Sequence, residues 1–150
     1  MPQSLAKIYV HLIFSTKNRE PLLDREIQIE LASYLGGALN NLDCQPIEIG
    51  GAKDHADVLC CLSKNLSVSK LIEEIKSGSS KWVKTKGSHF AQFHWQNGYG
   101  AFSVSQSHLN AVIQYIRQQE EHHRKVTFQE EFREFLERYR VAYDERYVWD

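Results

Sequence analysis

The chain has little of what holds a secreted or membrane-spanning protein together. It has three cysteines in 150 residues, Cys44, Cys60 and Cys61. They form no disulfide framework, and two are adjacent inside an apolar run, so they read as reduced core thiols in a cytosolic protein. No apolar run approaches the roughly 18–20 residues of a membrane span. The opening Met1-Pro2-Gln3-Ser4 lacks the basic-then-apolar layout of a secretory signal. Repeats, low-complexity segments and linkers are missing, as are a phosphate-binding glycine loop, a nucleophile elbow and a zinc finger. What remains is an ordinary folded composition, 42% apolar and 25% charged, which excludes wholesale disorder. A single domain over 1–150 is expected, with 126–150 as a C-terminal helix and tail. At this length it buries about two-thirds of its unfolded surface and needs no staple to fold.

Net charge is only −1, but it is unevenly spread. Residues 64–86 carry six lysines and two glutamates, a local charge of +4. Residues 126–150 carry four arginines and seven acids, a local charge of −3. An acidic tail therefore masks a basic middle, in which Lys70, Lys76, Lys81, Lys84 and Lys86 are candidate contacts for a polyanion. The plainer reading is a solvated helix face.

Periodicity predicts a buried strand over 5–16, then a helix opening at the N-cap Asp24. A second strand follows over 44–50 and a third from His55 to Leu62. Ser67 caps a second helix that is expected to fray at Gly78-Ser79-Ser80. Residues 87–98 read as a loop and 100–105 as a fourth strand. Ser105 or Ser107 then opens a third helix to about His123, and Thr127 opens a capping box before a fourth. This order predicts an α+β fold, the ferredoxin-like split βαβ: a four-stranded antiparallel sheet with helices on one face, plus C-terminal helices.

Two pairs stand out chemically. His55 and Asp57 alternate on one strand and project to one face, a half-site for a divalent cation or two polar residues facing water. Tyr115 and Gln119 lie one helical turn apart beside the apolar stripe of Leu109, Val112, Ile113 and Ile116. They can bring a phenol and an amide oxygen to one place, or they are a boundary tyrosine and a surface glutamine. His11, inside an apolar strand, reads as a hydrogen-bonded core residue. His122-His123 suits a helix C-terminus better than a metal site.

Together these segments resemble a known family. Asp54-His55-Ala56-Asp57-Val58-Leu59 sits where the insertion-sequence-200-like single-tyrosine HUH transposases carry Asp-His-hydrophobic-His-hydrophobic-Leu. The stretches Trp95–Ser105 and Tyr115–His123 are similar to that family's pre-helix strand and tyrosine helix. Tyr9–Phe14, Thr16–Arg19 and Tyr143–Tyr147 also look familial. The resemblance extends to relatives acting on repeated extragenic palindromes.

It implies a homodimeric nuclease and strand transferase for single-stranded, stem-loop DNA. Tyr115 would be the nucleophile, forming a 5′-phosphotyrosine and freeing a 3′-hydroxyl. His55, Asp57 and Gln119 would hold Mg²⁺ or Mn²⁺, which polarises the scissile phosphate. The site can be shared between protomers in such a family, so Tyr115 would serve either its own or the partner's cation site. Asp57 departs from the pattern by replacing the second histidine. Two other classes therefore stay open: a non-catalytic single-strand or hairpin binder, and a small-molecule-binding ferredoxin-like domain.

Overall fold

A computed structural model describes residues 2–119 and 125–149. Its centre is β1, Tyr9–Ser15, which buries Val10, Leu12 and Phe14 on one side and His11 and Ile13 on the other. A strand apolar on both sides belongs in the middle of a sheet covered on both faces. The sheet contains β2 (Pro46–Gly51), β3 (His55–Cys61) and β4 (Gly100–Val104). Its order is β2-β3-β1-β4 with every neighbour antiparallel, the split βαβ arrangement that the sequence predicts.

Helix α1 (Arg25–Asn41) is capped by Asp24, whose carboxylate accepts from the Ile27 amide at 3.0 Å. It buries Ile27, Leu31, Leu35 and Leu39, successive turns of one face. Helix α2 (Val68–Lys84) is capped by Ser67. It does not fray at Gly78-Ser79-Ser80 but runs through to Lys84. A mid-helix glycine costs about 1 kcal/mol relative to alanine, and packing outweighs it here. A Cβ at Gly78 would stand 2.7 Å from the Tyr34 hydroxyl of α1, so the glycine lets the two helices approach. Ser79 bonds back to the Ile75 carbonyl at 2.6 Å and accepts from the Trp95 indole at 2.9 Å.

Both helices cover the face of Val10, Leu12, Phe14, Ala56, Val58 and Cys60. The opposite face takes α3 (Leu109–Arg117) and the C-terminal helix (Phe128–Arg138). The third helix is shorter than its pattern predicts. A 3-10 turn over Gln106–His108 precedes it, and Ser105 bonds the His108 ring rather than capping a helical amide. Residues 120–124, including the His122-His123 pair, lie outside the described residues. Thr127 does cap the C-terminal helix, accepting from the Glu130 amide at 3.2 Å.

The loop 87–98 is a piece of core, burying Phe90, Phe93 and Trp95. The tail also docks: Trp149 lies between Arg19 and Arg133, at 5.8 and 5.0 Å from its ring, and Gln96 donates to the Val148 carbonyl. The three cysteines are unbonded thiols, and burial pushes the Cys60 thiol up to about 12. Among the described residues no helix is long and apolar enough to cross a membrane.

Candidate active site

Strand pairing gathers the polar residues of the second face at one place. Ser15 stands opposite His55, Ile13 opposite Asp57, and His11 opposite Leu59, so His11, His55 and Asp57 share a face. Above them, α3 approaches β2 closely because position 50 is glycine: a Cβ there would stand 2.8 Å from Ile116 Cγ2. That approach sets Tyr115 and Gln119 over β3. The His55 and Gln119 side chains meet at 3.2 Å, Nε2 to Oε1. Tyr115 donates its hydroxyl proton to Glu131 of the C-terminal helix, and Gln119 Nε2 lies 3.5 Å from the same carboxylate. The Phe128 ring covers His55 at 4.7 Å between centroids.

The cluster is dry: His55, Asp57, Gln119 and Glu131 are 1, 0, 1 and 4% exposed. Of the alternatives open from sequence, the solvent-facing one fails for His55 and Asp57. Asp57 Oδ1 lies 2.8 Å from His11 Nε2, and Asp57 Oδ2 lies 3.2 Å from His55 Nε2. His55 Nδ1 lies 2.8 Å from Asp54 Oδ1. Burial alone would lower the His55 pKa, but Asp54 and Asp57 reverse it and raise it. Burial would raise that of Asp57, yet the two histidines outweigh it and hold the carboxyl well below its usual range. For Glu131 burial, with the Asp57 charge adding, outweighs the opposing effect of His55 and pushes it up to about 8.

His55 Nε2, Asp57 Oδ2 and Gln119 Oε1 are one nitrogen and two oxygens, with both oxygens 3.2 Å from the nitrogen. Adjacent donors on a six-coordinate cation bound at about 2.1 Å stand roughly 3 Å apart. Asp57 Oδ2 is buried and faces His55 Nε2 as an ion partner without a well-aligned hydrogen bond, so a cation there would take the place of the His55 proton. The donor set fits a hard divalent ion, although among the described residues no three His, Cys, Asp or Glu side chains form such a group; the third donor is an amide.

Glu131 gives a measurable pH signature. Its folded pKa lies above the ordinary value, so the folded chain binds a proton that the unfolded chain has released. Stability from this group is full below about pH 4.3 and falls as pH rises toward about 8. His55 adds its own decline above about pH 6.5, because its folded pKa is also raised. Glu131→Gln should remove the first decline and leave the second. At about pH 8 the metal-free variant is expected to melt roughly 5 °C above wild type, on the order of 2 kcal/mol. Parallel melting curves from about pH 5 to 8 would show that Glu131 is not held neutral.

The lysines lie elsewhere. Helix α2 packs on the other face of the sheet from His55, although its second half reaches the same end. Trp95 there bonds Ser79, and Gln96 bonds Ser15, the partner of His55. Lys70 pairs with Glu74 at 3.2 Å, and Lys86 lies 4.7 Å over the Trp82 ring. Lys76 is turned inward onto the carbonyls of Gln96, Asn97 and Gly98 at 2.5, 3.3 and 3.1 Å, and burial lowers its pKa to about 8. Lys81 and Lys84 stand in the last turn of α2.

Residues 4–119 match the family described as transposase, IS200-like. One similar solved structure is that of a protein assigned as a transposase from Deinococcus radiodurans R1. It is 20% identical, with 80% of this chain and 96% of that one covered and a TM-score of 0.63. Another is a REP-associated tyrosine transposase bound to a REP hairpin: 15% identical, 79% and 70% covered, TM-score 0.56. At these identities the structural likeness speaks to the fold. No curated protein matches the sequence. Glu131 falls beyond the matched residues.

Proposed function

The chain belongs to the IS200-like transposase family, and from that premise we propose that it cuts and rejoins single-stranded DNA through Tyr115. The observation that carries this reading is the convergence of α3 and the residues just past its end on one strand. Tyr115 and Gln119 of the α3 region meet His55 and Asp57 of β3 within a single chain. That convergence supports a site completed in cis, with a homodimer presenting two such sites to two strands.

The Tyr115 oxygen attacks a backbone phosphorus, and the bond to the 3′ oxygen breaks. The products are a 5′-phosphotyrosine and a 3′-hydroxyl; attack by a 3′-hydroxyl reverses the step and returns the phenol. The phenol proton passes to Glu131, its hydrogen-bond acceptor, in the fraction of molecules where that carboxyl is ionised; its raised pKa makes the ionised form a stronger base than an ordinary carboxylate. His55, Asp57 and Gln119 would hold Mg²⁺ or Mn²⁺, which supplies charge stabilisation at the scissile phosphate. His11 and Asp54 fix the orientation of Asp57 and His55 from behind.

A second reading has its own support. Asp57 is already the ion partner of two histidines, an arrangement that holds together without a cation and suits a non-catalytic hairpin binder. Incubation with stem-loop single-stranded DNA and Mn²⁺ separates the two. The transposase reading expects a covalent protein–DNA band on a denaturing gel, and the binder retains DNA without one.

The basic stretch is proposed to track the DNA backbone. Each phosphate neutralised lowers the log of affinity with log salt by about 0.7 for a single strand. Replacing Lys81, Lys84 and Lys86 together with glutamine should flatten that slope by up to about 2. Lys76 is expected to contribute nothing to it, because its ammonium is committed to three carbonyls. An unchanged slope in the triple variant would put the DNA on another surface.

A further inference from the structure

A groove of about 690 Å³ opens beside Tyr115, between the end of β4, α3 and the C-terminal helix. Its volume lies within the about 300–1,000 Å³ of small-ligand sites. Tyr115, Phe135, Arg138 and Tyr139 line it, with Ser103 and Ser105 from the β4 end. We propose that this groove seats a nucleotide flanking the cleaved bond, its base stacked on Tyr139 and its phosphate paired with Arg138. The inference rests on the reading above that Tyr115 attacks DNA.

The composition of the walls supports a nucleotide. Tyr139 remains 40% exposed, although its ring lies over Phe102 at 4.7 Å and nearly parallel to Phe135. Its hydroxyl donates to the Ser103 carbonyl at 3.1 Å, so the ring is held in place before anything binds. A fixed, half-open aromatic face accepts any base, because every base has a π-face. Arg138 lies over Phe135, with Cζ 5.9 Å from the ring. Among the described residues its ion pair is an exposed one to Glu134 at 3.4 Å, of a kind too weak to hold it against a phosphate.

Among the described residues lining the groove there is no carboxylate. That absence sits within a segment whose overall charge is acidic, so the groove is a local exception favourable to a polyanion. A peptide or apolar ligand would make no use of that exception. The nucleophile in the lining sets which part of the DNA enters: the nucleotide beside the scissile phosphate rather than the hairpin stem.

The test uses the full chain, with Tyr139→Leu and Arg138→Gln as variants and a labelled stem-loop carrying oligo(dT) flanks as probe. Leucine keeps apolar packing over Phe102 and removes the stacking face, and Arg138 is exposed at a helix end, so melting temperatures are expected to stay near wild type. Tyr139→Leu should weaken binding about tenfold. Arg138→Gln should reduce the log–log salt slope by about 0.7. With 2-aminopurine placed in the flank, wild type should quench its fluorescence and Tyr139→Leu should not. A wild type that forms the covalent adduct, with both variants binding and quenching as it does, overturns the groove alone. A wild type that binds no single-stranded DNA overturns the proposed function as well.

Discussion

Tyr115→Phe is expected to yield no covalent protein–DNA adduct at all, while binding stem-loop DNA within about twofold of wild type. The substitution removes one oxygen, and that oxygen is the proposed nucleophile. The ring stays where it is, because its contacts do not depend on the hydroxyl: it meets Phe135 edge-on at 5.6 Å and His11 at 6.1 Å. The cost to the fold is led by the hydrogen bond to Glu131. With that carboxyl pushed up to about 8 it is mostly neutral near pH 7, so the loss is about 1 kcal/mol, a few degrees of melting temperature. Tyr147→Phe, at a residue 63% exposed, is the control and should cleave normally. A Tyr115→Phe protein that still forms adducts would remove this residue from the chemistry and direct attention to the other tyrosines.

Much of this site could be read in advance, and the reasons differ by residue. Alternation on a strand puts His55 and Asp57 on one face whatever surrounds them; the i, i+4 spacing predicts the same for Tyr115 and Gln119, and although α3 ends at Arg117, both reach Glu131. Side-chain caps are equally local, so Asp24, Ser67 and Thr127 each open the helix their neighbours predict. The burial of His55 and Asp57 was not local. It comes from Phe128 and Glu131 on a helix some 70 residues further on, and a strand that begins with a polar pair looks wet until that helix is in place.

Glu131 itself was hidden among Glu130, Glu134 and Glu137, which resemble a solvated face. The available signal was its register: one residue before Phe132, three after Phe128 and four before Phe135, it lies on the apolar stripe. A carboxylate on such a stripe needs a donor, and the donor is Tyr115. Lys76 misleads in the opposite direction. Counted by charge it belongs to the basic stretch, but its distance from solvent depends on the loop 96–98 folding over it. The continuity of α2 through Gly78 is likewise a tertiary outcome, decided by Tyr34 across the helix interface.

Asp57 is where the sequence departs from the family pattern, and its substitutions carry the largest expected effect on cation binding. In wild type, Mn²⁺ would meet one nitrogen and two oxygens from His55, Asp57 and Gln119, a set that favours hard ions such as Mg²⁺ and Mn²⁺. Occupancy also requires His55 Nε2 to release its proton, so the affinity should rise with pH. Asp57→Ala removes the buried Oδ2 proposed to meet the cation together with the ion partner of His11 and His55. Mn²⁺ binding and adduct formation should be lost together. Breaking a buried ion pair by removing one partner costs on the order of 3–5 kcal/mol, so melting must be measured alongside. Asp57→His restores the histidine pair of the family motif and exchanges an oxygen donor for nitrogen. It is expected to keep cleavage and to shift the preference away from Mg²⁺ toward softer ions. Calorimetric titration of Mn²⁺ into wild type and both variants decides the matter without relying on activity. Should wild type take up no divalent ion while Asp57→His does, the Asp57 carboxylate serves only the two histidines, and the protein binds hairpins without cutting them.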